Sequence, residues 1–280
     1  MDVKWLESQE AWEPLPDFVG AQGFVPLPEV RLWCWDTGGD GESVVLLHPF
    51  TGSGEVWGYQ QQALAAAGYR GIAYSRRGCY LSEPGPPDDP GTVGGDLHAL
   101  VNALDIERFH LVGSAAGGFA VFDYALRHPE RLLSATVASS LPGIDEPEWV
   151  STTAALLPDR WRELPHWFHE LGPSYRAANP TGTRNWVTCA ERSITTPVKQ
   201  GGMGGITWAM VESVETSMLL MTGDADLYMP PSRLRQLAGH VRGGTTYVLR
   251  EAGHAAFWEQ PAAFNTALLE HCVANRGSHP

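Results

Sequence analysis

Short apolar runs alternate with helical patterns along most of the 280-residue chain. Several runs are apolar at every position, which is typical of strands buried on both faces of a sheet. The run from Val30 to Asp36 instead alternates apolar and polar positions, as a half-buried strand does. The apolar pattern predicts strands at 30–36, 43–47, 70–74, 109–112, 133–138, 218–222 and 245–249. Helical spacing predicts helices at 55–67, 91–105, 116–128, from 232 and from 262.

Strand and helix follow each other in turn, which predicts a mostly parallel central sheet with helices on both faces. The alternation stops at Leu141 and resumes near residue 213, and the segment between is rich in prolines, tryptophans and helical pieces. We therefore expect an α/β core of roughly eight strands, formed by residues 1–140 and 213–280. Residues 141–212 are expected to form a helical cap inserted into this core.

The charge, the cysteine spacing and the apolar content of the chain exclude several kinds of partner and site. Nineteen Lys and Arg against 32 Asp and Glu give a net charge of −13, which argues against nucleic acid and anionic membrane surfaces as partners. The four cysteines lie far apart, so a zinc knuckle and a dithiol redox motif are excluded. Residues 1–18 are polar and acidic, unlike a signal peptide, and no apolar stretch has the length of a membrane span. We expect a cytoplasmic protein with free thiols.

Three segments that follow predicted strands carry candidate chemistry, and in open α/β sheets ligands bind where strands end. The segment LVGSAAGG, at 111–118, leads from a strand through a tight turn into a helix, as the nucleophile elbow G-x-S-x-G does. Ala115 occupies the nucleophile position of that pattern. Asp224 and Asp226 follow the strand at 218–222, and His254 follows the last strand. The order nucleophile, acid, base is that of an α/β-hydrolase, and the spacing to Pro230 favours Asp226 as the acid.

The chain resembles the α/β-hydrolase superfamily along nearly its whole length. The resemblance is carried by LLHPFTGSGEVWGYQ at 46–60, AYSRRG at 73–78, GDADLYMP at 223–230 and AGHAAFWEQPAAFN at 252–265. It is strongest toward cofactor-free esterases, perhydrolases and C–C bond hydrolases with a helical cap. The resemblance implies a base at His254, an acid at Asp226 and a nucleophile position at Ala115.

An oxyanion hole is expected from two backbone N–H groups. One belongs to Ala116, the residue after the nucleophile position. The other belongs to the loop after the strand at 43–47, where Pro49 replaces the usual Gly and has no N–H to donate. Phe50 is therefore the expected second donor.

Ala115 admits more than one interpretation, because a methyl group cannot attack a carbonyl. The intact surroundings favour a serine hydrolase of carboxylic esters or lactones, with an apolar or aromatic substrate body, in a form inactivated by Ala at 115. Hydrolysis of a C–C bond in a vinylogous diketone is the alternative reaction. A ligand-binding homologue with native Ala115 is the alternative class, and Ser114 as a nucleophile is disfavoured by the turn geometry.

Substrate contacts are expected from tryptophans. Trp57 either lines the acyl side of the pocket or packs helix against sheet, and at least one cap tryptophan, with Trp186 and Trp208 as candidates, is expected at the substrate. The partner is expected to be a small-molecule substrate. No HExxH motif, P-loop or cysteine cluster is present, so we expect neither a metal nor an organic cofactor.

Overall fold

The structure is a computed structural model that describes residues 4–7, 12, 14–202 and 204–277. Residues 1–3, 8–11, 13 and 278–280 of the expected core, and residue 203 of the expected cap, lie outside the described residues.

Among the described residues, nine strands form one sheet in the order β1-β9-β8-β7-β6-β4-β5-β3-β2. Their bounds are β1 Lys4–Leu6, β2 Ala21–Pro26, β3 Arg31–Asp36, β4 Ser43–Leu47, β5 Arg70–Tyr74, β6 Phe109–Ser114, β7 Leu132–Ala138, β8 Met218–Gly223 and β9 Thr245–Leu249. β3 pairs antiparallel with both β2 and β5, and the other pairings are parallel. The carboxyl ends of β4 and β6 to β9 therefore meet at one edge of the sheet, where the candidate chemistry was predicted.

Helices cover both faces of the sheet. Their bounds are α1 Gly58–Ala66, α2 Val93–Ala103, α3 Ala116–Arg127, α4 Pro147–Leu156, α5 His166–Glu170, α6 Pro173–Ala178, α7 Pro180–Glu191, α8 Trp208–Glu212, α9 Pro231–His240, α10 Ala256–Glu259 and α11 Pro261–Ala274. Short 3₁₀ turns lie at Gly54–Trp57, Pro129–Arg131 and Trp161–Glu163. Helices α4 to α8 all lie between β7 and β8, within the segment expected to form the cap.

Two apolar clusters, one on each face, hold the sheet between its helices. Every residue of β4, β6 and β8 is buried, which explains why these strands are apolar at successive positions. In β4, for example, Val45 and Leu47 belong to one cluster, and Val44 and Leu46 belong to the other. The fold is therefore an α/β sandwich of three layers, and the seven predicted strands are all present.

The seven strands predicted individually leave out the two edge strands, β1 and β2. β2 contains Gly23 and Pro26 and is exposed at five of its six positions, so it lacks a buried alternation. β1 has three residues and pairs only with β9. In the described part of the chain, no helix combines the length and the apolar character that crossing a membrane requires.

Candidate active site

The turn after β6 holds Ala115 in a backbone conformation that L-residues rarely adopt. Its φ is 50° and its ψ is −114°, and α3 begins at the next residue. Three hydrogen bonds fix the turn: Ala115 N–H donates to Ala138 O at 2.9 Å, and Ala115 O accepts from Gly118 N–H at 3.0 Å and from Ser140 Oγ at 2.6 Å. The surrounding contacts maintain a strained position, as nucleophile elbows do.

The flanking glycines are needed because the backbone packs too closely for side chains. A Cβ on Gly113 would lie 2.5 Å from the carbonyl oxygen of Gly117. A Cβ on Gly117 would overlap the carbonyl oxygen of Leu47, at the end of β4. The two glycines thus let α3 start directly against the ends of β4 and β6, which brings position 115 to the carboxyl edge of the sheet.

A His–Asp pair lies beside this turn. His254 Nδ1 is 2.9 Å from Asp226 Oδ1 and 3.0 Å from Oδ2. Asp226 is 2% exposed and also accepts hydrogen bonds from Tyr228 N–H, Met229 N–H and Thr222 Oγ1. Asp224 is exposed on the same loop. Asp226, the carboxylate that the spacing to Pro230 favours, makes the contact with the imidazole.

Electrostatics favour the ionised forms of this pair. Burial alone would raise the pKa of Asp226, but the charge of His254 and the hydrogen bonds lower it below its ordinary value. Burial alone would lower the pKa of His254, but the charge and hydrogen bond of Asp226 raise it. The charge of Glu170 raises the pKa of His254 further. An imidazole with this partner is held with Nδ1–H toward the carboxylate, which leaves Nε2 able to accept a proton.

The loop after β4 is braced from inside by His48. This residue is fully buried, with Nδ1 2.7 Å from Pro49 O, and its Nε2 accepts a hydrogen bond from Arg76 N–H at 3.0 Å. Burial and the Arg76 charge keep the pKa of His48 well below its ordinary value. His48 therefore positions the loop that carries Phe50 and does not face the ligand space.

A cavity of about 250 Å³ joins these elements. Ala115, Ala116, Phe50 and His254 all line it, so the structure brings together the predicted nucleophile position, the predicted oxyanion donors and the predicted base. Ala116 is the first residue of α3, where backbone N–H groups have no partner within the helix. A second cavity of about 470 Å³ adjoins Phe50. Its walls are mostly apolar and include Val93, Ile194 and Val198, and Arg76, Arg77 and Lys199 also line it.

The structure does not bring the three predicted tryptophans to the His254 cavity. Trp57 is fully buried in one of the two apolar clusters, with its ring 4.3 Å from that of Phe257 in α10. Trp186 is 2% exposed and packs on Trp258. Trp208 stacks on His240 at 3.9 Å. Large aromatic rings gain more from packing in the core than from lining a small cavity, and the substrate-contact prediction for these residues is corrected accordingly.

Other residues of the cavity were not found from the sequence. The helical insertion contributes Leu141, His166 and Glu170, which places this segment over the site. Tyr228 lies with its ring 4.5 Å from that of His254. Tyr228 could have been predicted from its position two residues after Asp226. Glu170 stands in no recognisable motif, so its position was not indicated by the sequence.

Comparison with known sequences shows the family to which the chain belongs. The sequence model described as alpha/beta hydrolase fold matches residues 42–172. The putative carbamate hydrolase RutD of Caulobacter sp. strain K31 is 30% identical over 245 residues, which cover 82% of this chain and 90% of the relative. The chain belongs to the α/β-hydrolase family. The 2-hydroxy-6-oxo-6-phenylhexa-2,4-dienoate hydrolase of Comamonas testosteroni is 24% identical over 274 residues, which cover 84% of this chain and 89% of that protein.

Solved structures agree with the α/β-hydrolase fold. A thermophilic esterase from Thermogutta terrifontis superposes with a TM-score of 0.74 at 20% identity, covering 92% of this chain and 100% of the esterase. The enol-lactonase of Burkholderia xenovorans LB400 superposes with a TM-score of 0.71 at 20% identity, covering 90% of this chain and 100% of that chain. At these identities the structural likeness shows the shared fold, whereas the chemistry has to be argued from the site.

Proposed function

We propose that this α/β-hydrolase is built to hydrolyse a carboxylic ester or lactone with an apolar or aromatic body, and that Ala115 leaves it without the nucleophile. One observation carries the proposal: His254, hydrogen-bonded to Asp226, lines the same cavity as a strained elbow that holds a methyl group where a serine hydrolase has its hydroxyl. The mostly apolar walls of the adjoining 470 Å³ cavity support an apolar substrate body.

With Ser at position 115, the residues have definite roles. The serine Oγ attacks the acyl carbon while His254 Nε2 takes the hydroxyl proton, and His254 then gives that proton to the leaving alcohol. Asp226 holds the imidazole in the required tautomer and stabilises its charged form. The N–H groups of Phe50 and Ala116 hold the oxyanion. A water molecule then hydrolyses the acyl-enzyme with His254 as the base.

With Ala115 the chain keeps the ligand-binding part of this apparatus. Removing one hydroxyl leaves the cavity, the backbone donors and His254 in place, so a substrate binds without forming an acyl-enzyme. Any remaining hydrolysis comes from water oriented by the site, and in serine hydrolases that have lost triad residues such catalysis is roughly 10³–10⁴-fold over water.

Two other functions are supported by specific observations. Hydrolysis of a C–C bond would use the same residues, and the likeness to the Comamonas testosteroni dienoate hydrolase favours it as the neighbouring reaction. A non-catalytic ligand-binding protein is favoured by Ala115 itself. In each case we propose a small-molecule ligand, no metal or organic cofactor, no nucleic-acid or membrane partner, and a cytoplasmic location.

The test is the Ala115→Ser variant assayed with p-nitrophenyl esters, aryl lactones and dienone acids. We expect ester or lactone hydrolysis at least about 10³-fold faster than by the unmodified chain, because the acyl-enzyme route becomes available. Ala116→Ser is the matched control, since it adds the same hydroxyl one residue beyond the elbow and is expected to restore nothing. A folded Ala115→Ser variant that turns over none of these substrates would contradict the proposed hydrolase function and favour the ligand-binding function.

A further inference from the structure

An acidic side chain from the insertion lines the His254 cavity. Glu170 ends α5, lines the cavity and is 6% exposed. Its Oε1 accepts a hydrogen bond from Thr51 Oγ1 at 2.5 Å, and its Oε2 accepts one from Trp186 Nε1 at 2.9 Å. Glu170 O also accepts Ala255 N–H at 2.8 Å, next to His254. The carboxylate is therefore fixed in place from the loop after β4, from α7 and from the histidine loop.

Both side-chain partners of Glu170 are uncharged donors. Within the described residues no Lys, Arg or His forms an ion pair with its carboxylate. No Lys or Arg is among the described residues that line the cavity, where His166 and His254 are the groups that can carry positive charge. Buried carboxylates are normally paired with a cation, because their desolvation is otherwise costly. A carboxylate held by neutral donors beside a ligand cavity leaves room for a cation supplied by the ligand.

Glu170 also acts on the neighbouring groups through its charge. It raises the pKa of His254 and contributes to the raised pKa of Tyr228. In the ionised pair the charges of Asp226 and His254 offset each other, so the charge of Glu170 makes the cavity unfavourable for an anionic ligand.

We infer that Glu170 selects the charge of the substrate: the site takes a neutral substrate, prefers one with an ammonium group facing Glu170, and rejects a carboxylate there. The inference rests on the proposed function in that it assigns the ligand to the His254 cavity.

The experiment measures binding to the unmodified chain, so it needs no turnover. Benzylamine, benzyl alcohol and benzoate share one ring and differ in charge, and a ring of this size fits a cavity of about 250 Å³. Isothermal titration calorimetry near neutral pH should rank benzylamine first, benzyl alcohol second and benzoate last, with at least about tenfold between the extremes. Benzoate binding as tightly as benzylamine, or no binding of benzylamine, overturns the inference.

Two variants assign the preference to one side chain. Glu170→Gln keeps a hydrogen-bonding group of the same shape and should reduce the tenfold preference to within about threefold. Glu163→Gln is the matched control, because Glu163 lies in the same insertion but is 59% exposed and paired with Arg160. A preference that survives in Glu170→Gln, or that Glu163→Gln also removes, refutes the assignment. Failure of Ala115→Ser to hydrolyse neutral esters refutes the proposed function separately, since the binding series does not depend on it.

Discussion

Replacing Ala115 with glycine should make the protein more stable, although glycine loses more backbone entropy on folding than alanine does. At φ 50° and ψ −114° the alanine Cβ meets the backbone unfavourably, and a residue held in such a sparsely populated region costs about 1–3 kcal/mol. Glycine adopts this conformation without that cost. The Ala115→Gly substitution therefore measures how much strain the elbow holds.

The expected gain follows from two opposing contributions. Removing the strain contributes about 1–3 kcal/mol, and the greater backbone freedom of glycine in the unfolded chain opposes it by about 0.5–1 kcal/mol. Ala115 is only partly buried, so its methyl contributes little through burial. The net expectation is a free energy of unfolding higher by about 1 kcal/mol. For a domain of this size that corresponds to a rise in Tm of roughly 2 °C.

Chemical denaturation followed by tryptophan fluorescence gives the free energy of unfolding, and calorimetry gives Tm. The matched control is Ala116→Gly, one residue further on, where φ is not positive. There glycine should lower the free energy of unfolding by about 0.5–1 kcal/mol. If Ala115→Gly destabilises the protein as much as Ala116→Gly does, the elbow is not strained and the argument for a nucleophile turn loses its physical basis.

Two further predictions concern ionisable groups of the site. Glu259 is fully buried and accepts hydrogen bonds from Gly172 N–H and Gly253 N–H, and burial raises its pKa to about 8 from 4.5. The folded state therefore holds a proton that the unfolded chain loses, so the free energy of unfolding should fall as pH rises from about 5 to about 8. Glu259→Gln should reduce that fall. If the free energy of unfolding depended on pH equally in both proteins, the prediction would be contradicted. Asp226→Asn should lower the pKa of His254, because it removes the carboxylate that raises that pKa. NMR titration of the imidazole measures this pKa. An unchanged midpoint would contradict the prediction.

The central part of the fold and the principal parts of the site were predictable from local sequence. A strand buried on both faces must be apolar at successive positions, so β4, β6 and β8 could be recognised. The turn at Ala115 needs glycines because of close backbone contacts, and those glycines stand in the sequence at fixed spacing. The loops of Asp226 and His254 follow strands whose carboxyl ends share one edge of the sheet, so their proximity followed from the topology.

The rest of the site depends on contacts between distant segments. Glu170 is held at the cavity by hydrogen bonds with Thr51, Trp186 and Ala255, which lie far from it in the sequence. Such contacts cannot be recognised from a local sequence pattern. The same reason explains the error over Trp186: its indole N–H supports Glu170 from outside the cavity, whereas composition alone suggested a substrate contact. The edge strand β2 was missed because exposed residues carry little hydrophobic pattern.

The most direct test of the central claim is covalent labelling of position 115. A fluorophosphonate probe forms a bond with a serine oxygen that a neighbouring base activates, with fluoride leaving. We predict that Ala115→Ser is labelled on the peptide that contains residue 115 and that labelling is lost in Ala115→Ser combined with His254→Ala. The unmodified chain should remain unlabelled at this position. A folded Ala115→Ser protein that the probe does not label, or labelling that persists without His254, would contradict the claim that this cavity is a serine-hydrolase site lacking only its nucleophile.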